Sequence, residues 1–406
     1  MPDNKEGNPV SDKRDLPERL ARLAAAPPHV ADFGRRELIR NAARFGLGAA
    51  AMAALTRPLA FRPAFAADAP ALPEIASVPA SLKGSGTVRV CSWGGALQKA
   101  QRAAYFQPFE KLCGIKVIES EGPDAVKVKA MVDTGNVEYD VGEFDRADVI
   151  NLEKKGDYWE PLDYGLFDTP NIDPVFRYKY AIDMLPYAQM MAFRTDAFGG
   201  RKPADWAQFW DTKAFPGPRT MSSGTGGLIP ELEFAELAAG TPVDKVYPID
   251  IDAGYASLAK VKPAVVKWWT AGAMPAQMLA DKEVLLGTAW NGRIDAIQRA
   301  GAPVEIMWDK GMLRNDCWAI PKGAANRENA QKFSAFITMA VAQARLSMLI
   351  PYGFVNSAAA SHLSPERLKV LPTAPAIRDR LFVFNSQWWA DNEDAVGKKW
   401  ASWILE

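Results

Sequence analysis

The stretch GTAWNGRIDAI, from Gly287 to Ile297, puts Trp290, Asn291 and Arg293 where the short apolar run ADKEVLL should end as a strand and a helix should begin. An unpaired buried charge is costly, so the Arg293 guanidinium either reaches water or meets an anion. Two kinds of anion fit: a nearby acid, Asp295 or Asp316, or the carboxylate of a bound molecule. Asp295, two residues further on, is expected to face solvent. A guanidinium pairs best with a carboxylate through two parallel hydrogen bonds, which is recognition chemistry.

The rest of the chain supplies no catalytic set. Of its two histidines, His29 lies in a polar leader and His362 in SAAASHLSPE, with no G-x-S-x-G beside them. SSGTGG, Ser222 to Gly227, lacks the Lys-Ser/Thr ending of a phosphate-binding loop and reads as a turn. No His/Cys spacing suits zinc and no adjacent tyrosine pair suits ferric ion, so neither metal nor cofactor is expected. An enzyme built on Asp and Glu acids is the remaining catalytic reading, with no paired motif behind it. Three cysteines, Cys91, Cys113 and Cys317, leave at least one thiol unpaired. Buried free thiols are expected; a Cys91–Cys113 bridge is the alternative.

The elements that must position these residues alternate. TVRVCSW, IKVIES and YDVGEF read as strands, separated by helices in GGALQKAQRAAYFQPFEKLCG and DAVKVKAMVDTGN and followed by one in ADVINLEKKG. Such alternation makes βαβ units and a parallel sheet. MLPYAQMMAFRTDAF reads as a longer strand leaving this unit. A second α/β unit follows, with PRTMSS as a strand, DIDAGYASLAKVKPAVVKWW as one amphipathic helix that keeps Trp268 and Trp269 out of any pocket, and helix, strand and helix across 274–300. DCWAIPKGA is a returning strand, NRENAQKFSAFITMAVAQARLSMLI one long helix, and the Trp-rich end is helical. Two α/β lobes joined by crossing strands leave a cleft, where open α/β sheets bind ligands. The expected divisions are 86–188 with about 314–355 for the first lobe and 189–313 with about 356–406 for the second, after a Pro-rich spacer at 67–85.

Residues 1–66 stand apart. Arg35 and Arg36 precede a small-residue apolar run, and Ala64 to Ala66 offers an A-x-A cleavage site. This is the order of an export signal, and the paired arginines resemble the twin-arginine type. The apolar run is too short for a confident membrane span. The whole chain balances 48 basic against 48 acidic residues; loss of the segment's eleven basic and seven acidic residues leaves a net charge of −4. Neither balance provides the basic face that nucleic acid demands.

CSWGGALQKAQRAAYFQPFEKLCGIKV resembles the start of the polyamine-type periplasmic substrate-binding proteins of ABC importers, extracellular solute-binding family 1. The resemblance continues in order through YDVGEFDRADVINLEKKG, DWAQFW, DKEVLLGTAWNGR, DCWAIPKGA and IPYGFVNSAA. It implies an α/β, two-lobed periplasmic-binding-protein fold (type II), each lobe a mostly parallel sheet flanked by helices, closing about a hinge. It also implies a monomer that delivers a small solute to an inner-membrane ABC permease and catalyses nothing. A signalling receptor with the same fold would carry the same motifs. Carried over, Trp93 stacks on the ligand, Gly94 opens the following helix, and Asp145, Trp290, Asp316 and Tyr352 line the cleft. The family commonly has acids after the second-lobe strand; this chain has Ser222 and Ser223. After W-N-G the family has a small residue; this chain has Arg293, which would repel a close di-cation. The pattern matches the 4-aminobutyrate-binding branch, with Arg293 on the carboxylate, Asp316 or Asp145 on the amine, and Trp93 or Trp290 against the cation or stem. Putrescine or spermidine is the alternative ligand, with Arg293 turned away.

Overall fold

Apolar runs that alternate with helices from Thr87 onward fold as expected into parallel units. The computed structural model describes residues 71–406, apart from Gly226 and Gly227. The export-type segment with Arg35, Arg36, Ala64 and Ala66, the start of the spacer, and two glycines of the SSGTGG turn lie outside the described residues. The strands are β1 (Thr87–Ser92), β2 (Lys116–Glu121), β3 (Val141–Asp145), β4 (Trp159–Glu160), β5 (Ala181–Arg194), β6 (Arg219–Ser222), β7 (Val265–Trp269), β8 (Leu286–Trp290), β9 (Val304–Pro321) and β10 (Leu381–Val383).

Their order is β2-β1-β3-β9-β5-β8-β6-β7, with β4 and β10 also paired to β9. The first half is parallel, β1 lying between β2 and β3. So is the far half, with β6 between β7 and β8. The two halves join through β5 and β9, which run antiparallel to each other and to their neighbours β8 and β3. All 14 residues of β5 are buried, Asp183, Gln189 and Arg194 among them. One large core packs the helices Gly95–Gln101, Gln107–Cys113, Arg327–Ile337 and Ala340–Leu349 on the first half. A second, rich in tryptophan, fills the other half, where Trp206 and Phe234 stack at 3.7 Å. The C-terminal helix Ser386–Trp403 sends Trp389, Trp400 and Trp403 into that second core. Its polar side meets the helix Arg146–Glu153, where Asn151 donates to Glu393.

Four expectations change. The amphipathic helix stops at Val261, because Pro263 cannot continue the ladder. A 3-10 turn follows, and Trp268 and Trp269 lie on β7. The long helix after Asn326 is two, Arg327–Ile337 and Ala340–Leu349, broken where the Thr338 hydroxyl turns back to the Ala335 carbonyl and the Asn356 side chain takes the Thr338 carbonyl. DCWAIP is the last part of an 18-residue strand, and KGA turns away beyond its end at Pro321. Asp295 is buried and pairs with Arg299 one turn on. The three thiols are buried and free, and Cys91 and Cys113 belong to different cores, so the alternative bridge does not form. No described helix is long and apolar enough to cross a membrane.

Candidate ligand-binding cleft

The register brings the C-terminal ends of both parallel halves to the middle of the crossing strands. Asp145, the last residue of β3, sits opposite Asp316 on β9, and Trp290, the last of β8, sits opposite Gln189 on β5. Between them, Leu185 faces Asp316 and Tyr187 faces Arg314. Side chains two apart on a strand share a face. One face therefore carries Glu143, Asp145, Arg314, Asp316, Tyr187, Gln189 and Trp290.

In W-N-G-R, each residue has its own local task. Asn291 is buried, and its Oδ1 accepts from the Ala188 amide at 2.9 Å, extending the β5–β8 ladder one step past its last pair. Its Nδ2 donates to the Pro351 carbonyl at 2.6 Å. A Cβ on Gly292 would stand 2.7 Å from the Tyr352 ring, so only glycine lets that ring close over the helix start. Tyr187 packs edge-on against Trp290 at 5.7 Å and lies 6.1 Å from Tyr352. Arg293 is exposed and, among the described residues, has no ion pair and no hydrogen bond. Neither Asp295 nor Asp316 neutralises it.

Across the cleft, Trp93 ends β1 with 46% of its surface exposed. Gly94 follows at φ 76° and ψ −169°, a conformation open to glycine, and starts the helix Gly95–Gln101. Its amide is not free, since it donates to Gln98 Oε1 at 3.1 Å. Asp145 caps the next helix through the Ala147 amide and also receives Arg314 at 3.0 Å. Ser222 is buried; its hydroxyl donates to the Ser223 carbonyl and its amide to Glu231. Asp145, Trp290 and Asp316 thus lie at the meeting of the strand ends with the crossing strands, Trp93 and Arg293 stand exposed beside strand ends, Tyr352 lies near Tyr187, and Gly94 and Ser222 have structural partners.

The electrostatics are acidic at the floor. Burial, then the charges of Glu143 and Asp145, push the Asp316 carboxyl well above its ordinary value, against the pull of Arg314 and the Trp93 indole. Burial works against the Arg314 charge, but Tyr187 and Asp145 outweigh it and raise that group further. Burial raises the Tyr352 hydroxyl; the Arg293 cation works against this, and the Asp316 and Glu143 carboxyls add to it. Trp290 Nε1, Arg314 Nε and Glu143 Oε1 are buried without a partner. Unmet donors and an acceptor on one floor are what an amphoteric ligand, or water, would satisfy.

Residues 104–376 match the family model described as bacterial extracellular solute-binding protein. This chain belongs to the bacterial extracellular solute-binding protein family. Solute-binding proteins similar to it include the gamma-aminobutyric acid-binding protein of Pseudomonas aeruginosa, 33% identical over 79% of this chain and 91% of the relative. The spermidine/putrescine-binding periplasmic protein of Escherichia coli is 28% identical over 64% of this chain and 76% of its own. Among solved structures, an ABC transporter substrate-binding protein from Bradyrhizobium japonicum superposes with a TM-score of 0.73 at 34% identity, covering 79% of this chain and 99% of that one. A GABA receptor superposes at 0.72 and 32% identity, covering 78% and 97%. The two-lobed α/β fold implied by the W-G-G and W-N-G motifs is the fold found.

Four residues of the cleft escape a reading of the sequence. Arg314, in MLRNDCW, is hidden inside the crossing strand. Gln189 takes Arg314 on its Oε1 at 3.4 Å and donates to Glu231 at 2.6 Å. Glu231 is fully buried beside Ser222, so an acid does stand next to the second-lobe strand where the motif shows only serines. Glu143 lies at the centre of VGEF, and an acid inside an apolar strand is itself a signal that could have found it.

Proposed function

We propose that this protein is the periplasmic binding component of an ABC importer and that it captures 4-aminobutyrate or a similar zwitterionic amine. The observation that carries the reading is Arg293, an arginine without a protein partner at the rim of a cleft whose floor is carboxylate. Arg293 takes the ligand's acid group, Asp316 takes the ammonium, and Trp93 and Trp290 close on the carbon stem. The names of the Pseudomonas aeruginosa relative and of the solved GABA receptor support this choice. The protein turns nothing over; lobe closure presents the loaded form to the permease. Export by the twin-arginine route belongs to the same reading: changing Arg35 and Arg36 to Lys should hold the precursor in the cytoplasm, and normal periplasmic yield would exclude that route.

The polyamine reading is favoured by one observation, the three cleft carboxyls Glu143, Asp145 and Asp316. Calorimetric titration separates the two. Arg293→Ala should weaken 4-aminobutyrate about tenfold to a hundredfold, the worth of a charge-assisted bidentate pair. It should leave putrescine unchanged or improved. Asp316→Asn should weaken both. Tighter wild-type binding of putrescine than of any amino acid, indifferent to Arg293→Ala, would install the polyamine reading.

A further inference from the structure

Ser92, Gln101 and Glu143 form a buried triangle behind the amine side of the cleft. Ser92 Oγ lies 2.6 Å from Gln101 Oε1 and 2.7 Å from Glu143 Oε2. Gln101 Nε2 lies 2.9 Å from the same Glu143 oxygen. Three hydrogen bonds need three protons. The serine hydroxyl carries one. The amide donates in one of its contacts and accepts in the other, and exchanging its oxygen and nitrogen only swaps the two roles. The third proton has to come from Glu143.

We propose that Glu143 holds a proton in slightly acidic solution and that this proton sets the charge of the amine subsite, making the cleft a site for one ammonium group rather than two. This rests on the binding function proposed above and deepens it. With Asp145 claimed by Arg314, a proton held on Glu143 removes the largest neighbouring charge that raises Asp316, so Asp316 keeps the negative charge of this pair, while Arg293, among the described residues, has no ion pair. That pair of charges matches a zwitterion.

The surroundings agree. Burial pushes Glu143 up to about 7, against the pull of Gln101 and Ser92. Asp145 shares its strand and face, and Arg314 and Asp316 face it from β9. Tyr105 approaches from the helix side, Tyr352 from the loop before the second lobe, and Cys91 and Cys317 from the neighbouring strands; burial raises all four, which keeps them neutral near pH 7. Asp183 on β5 is held by Arg146 at 2.6 Å. Burial raises Asp183 to about 7 as well, where Arg146 matches its charge, and it raises Asp316 together with the Glu143 charge; within this pair Glu143 adds a negative charge as pH rises through about 7. Above that value a second negative charge appears, and a diamine gains from it more than a monoamine does.

Two measurements on the mature protein test this. The first needs no ligand: the infrared difference between the free wild type and Glu143→Gln should show a protonated-acid carbonyl band at pH 6 that fades through about pH 7. If that variant does not fold, Ser92→Ala should shift the same band by changing its hydrogen bonding. The second is the ratio of putrescine to 4-aminobutyrate affinity between pH 6 and 8.5. It should rise about tenfold in wild type and stay flat in Glu143→Gln. No protonated band, or a band untouched by either substitution, overturns the proposal. A band with a flat wild-type ratio overturns the charge-setting role. Failure of both amines to bind refutes the proposed function and that role with it, while the band still decides where the proton sits.

Discussion

Replacing Asn291 by Ala should damage both stability and binding, because this side chain ties the crossing strand β5 to the loop that carries Tyr352. Its Oδ1 is the acceptor for the Ala188 amide, and Ala188 is fully buried, so the amide would be left without a partner. A buried orphan of this kind costs about 1–3 kcal/mol. The Pro351 carbonyl loses its donor at the same time, bringing the expected loss to about 2–4 kcal/mol. Guanidinium unfolding followed by tryptophan fluorescence reads the change. Gln298→Ala is the internal control: it lies on the same helix and removes one contact, to the Val304 carbonyl, for about 1 kcal/mol or less. The substitution should also weaken 4-aminobutyrate, since Trp290 and Arg293 flank the pinned residue. Equal losses for Asn291→Ala and Gln298→Ala would refute the pin, as would unchanged ligand affinity in a destabilised variant.

Gly94→Ala should cost about 1–3 kcal/mol through its glycine-only backbone conformation, measured as a lower denaturant midpoint. Gly95→Ala, at φ 60° with open space around its Cβ position, should cost less, and the reverse order would refute this account of the turn. Burial pushes Glu231 up to about 7, against the pull of its Thr288, Gln189 and Ser222 donors. A folded-state value above the unfolded one stabilises the fold below the unfolded value, and that stability is lost as pH rises through about 7. Thermal midpoints should thus fall between pH 5.5 and 8, with a shallower fall in Glu231→Gln; an equal slope in the variant would exclude Glu231 as a contributor.

The strands and most helices were legible because alternating apolar runs have few other ways to bury themselves. The places where reading failed are informative. KVKPAVVKWW keeps a helical spacing up to its proline; the proline ends the helix, and the β-branched and aromatic residues beyond it extend as β7. The places of Trp93, Trp290 and Arg293 at strand-to-helix transitions were legible from the sequence. Arg314 and Glu143 were not, because each is charged in the middle of an apolar strand, nor was Glu231, just before its helix, because the partners come from far along the chain: Arg314 meets Asp145 only after β3 and β9 pair. The Asn and Gly of W-N-G have structural tasks that depend on the remote residues Ala188, Pro351 and Tyr352.

The central claim is that Arg293 and Asp316 grip opposite ends of one small zwitterion, and a crystal structure of the mature protein grown with 4-aminobutyrate tests it most directly. The account predicts density for one ligand, its carboxylate about 2.7–3.0 Å from the Arg293 guanidinium and its ammonium at similar distance from Asp316. A ligand carboxylate on Arg314 with Arg293 left in solvent, or an empty cleft at saturating 4-aminobutyrate, would contradict it.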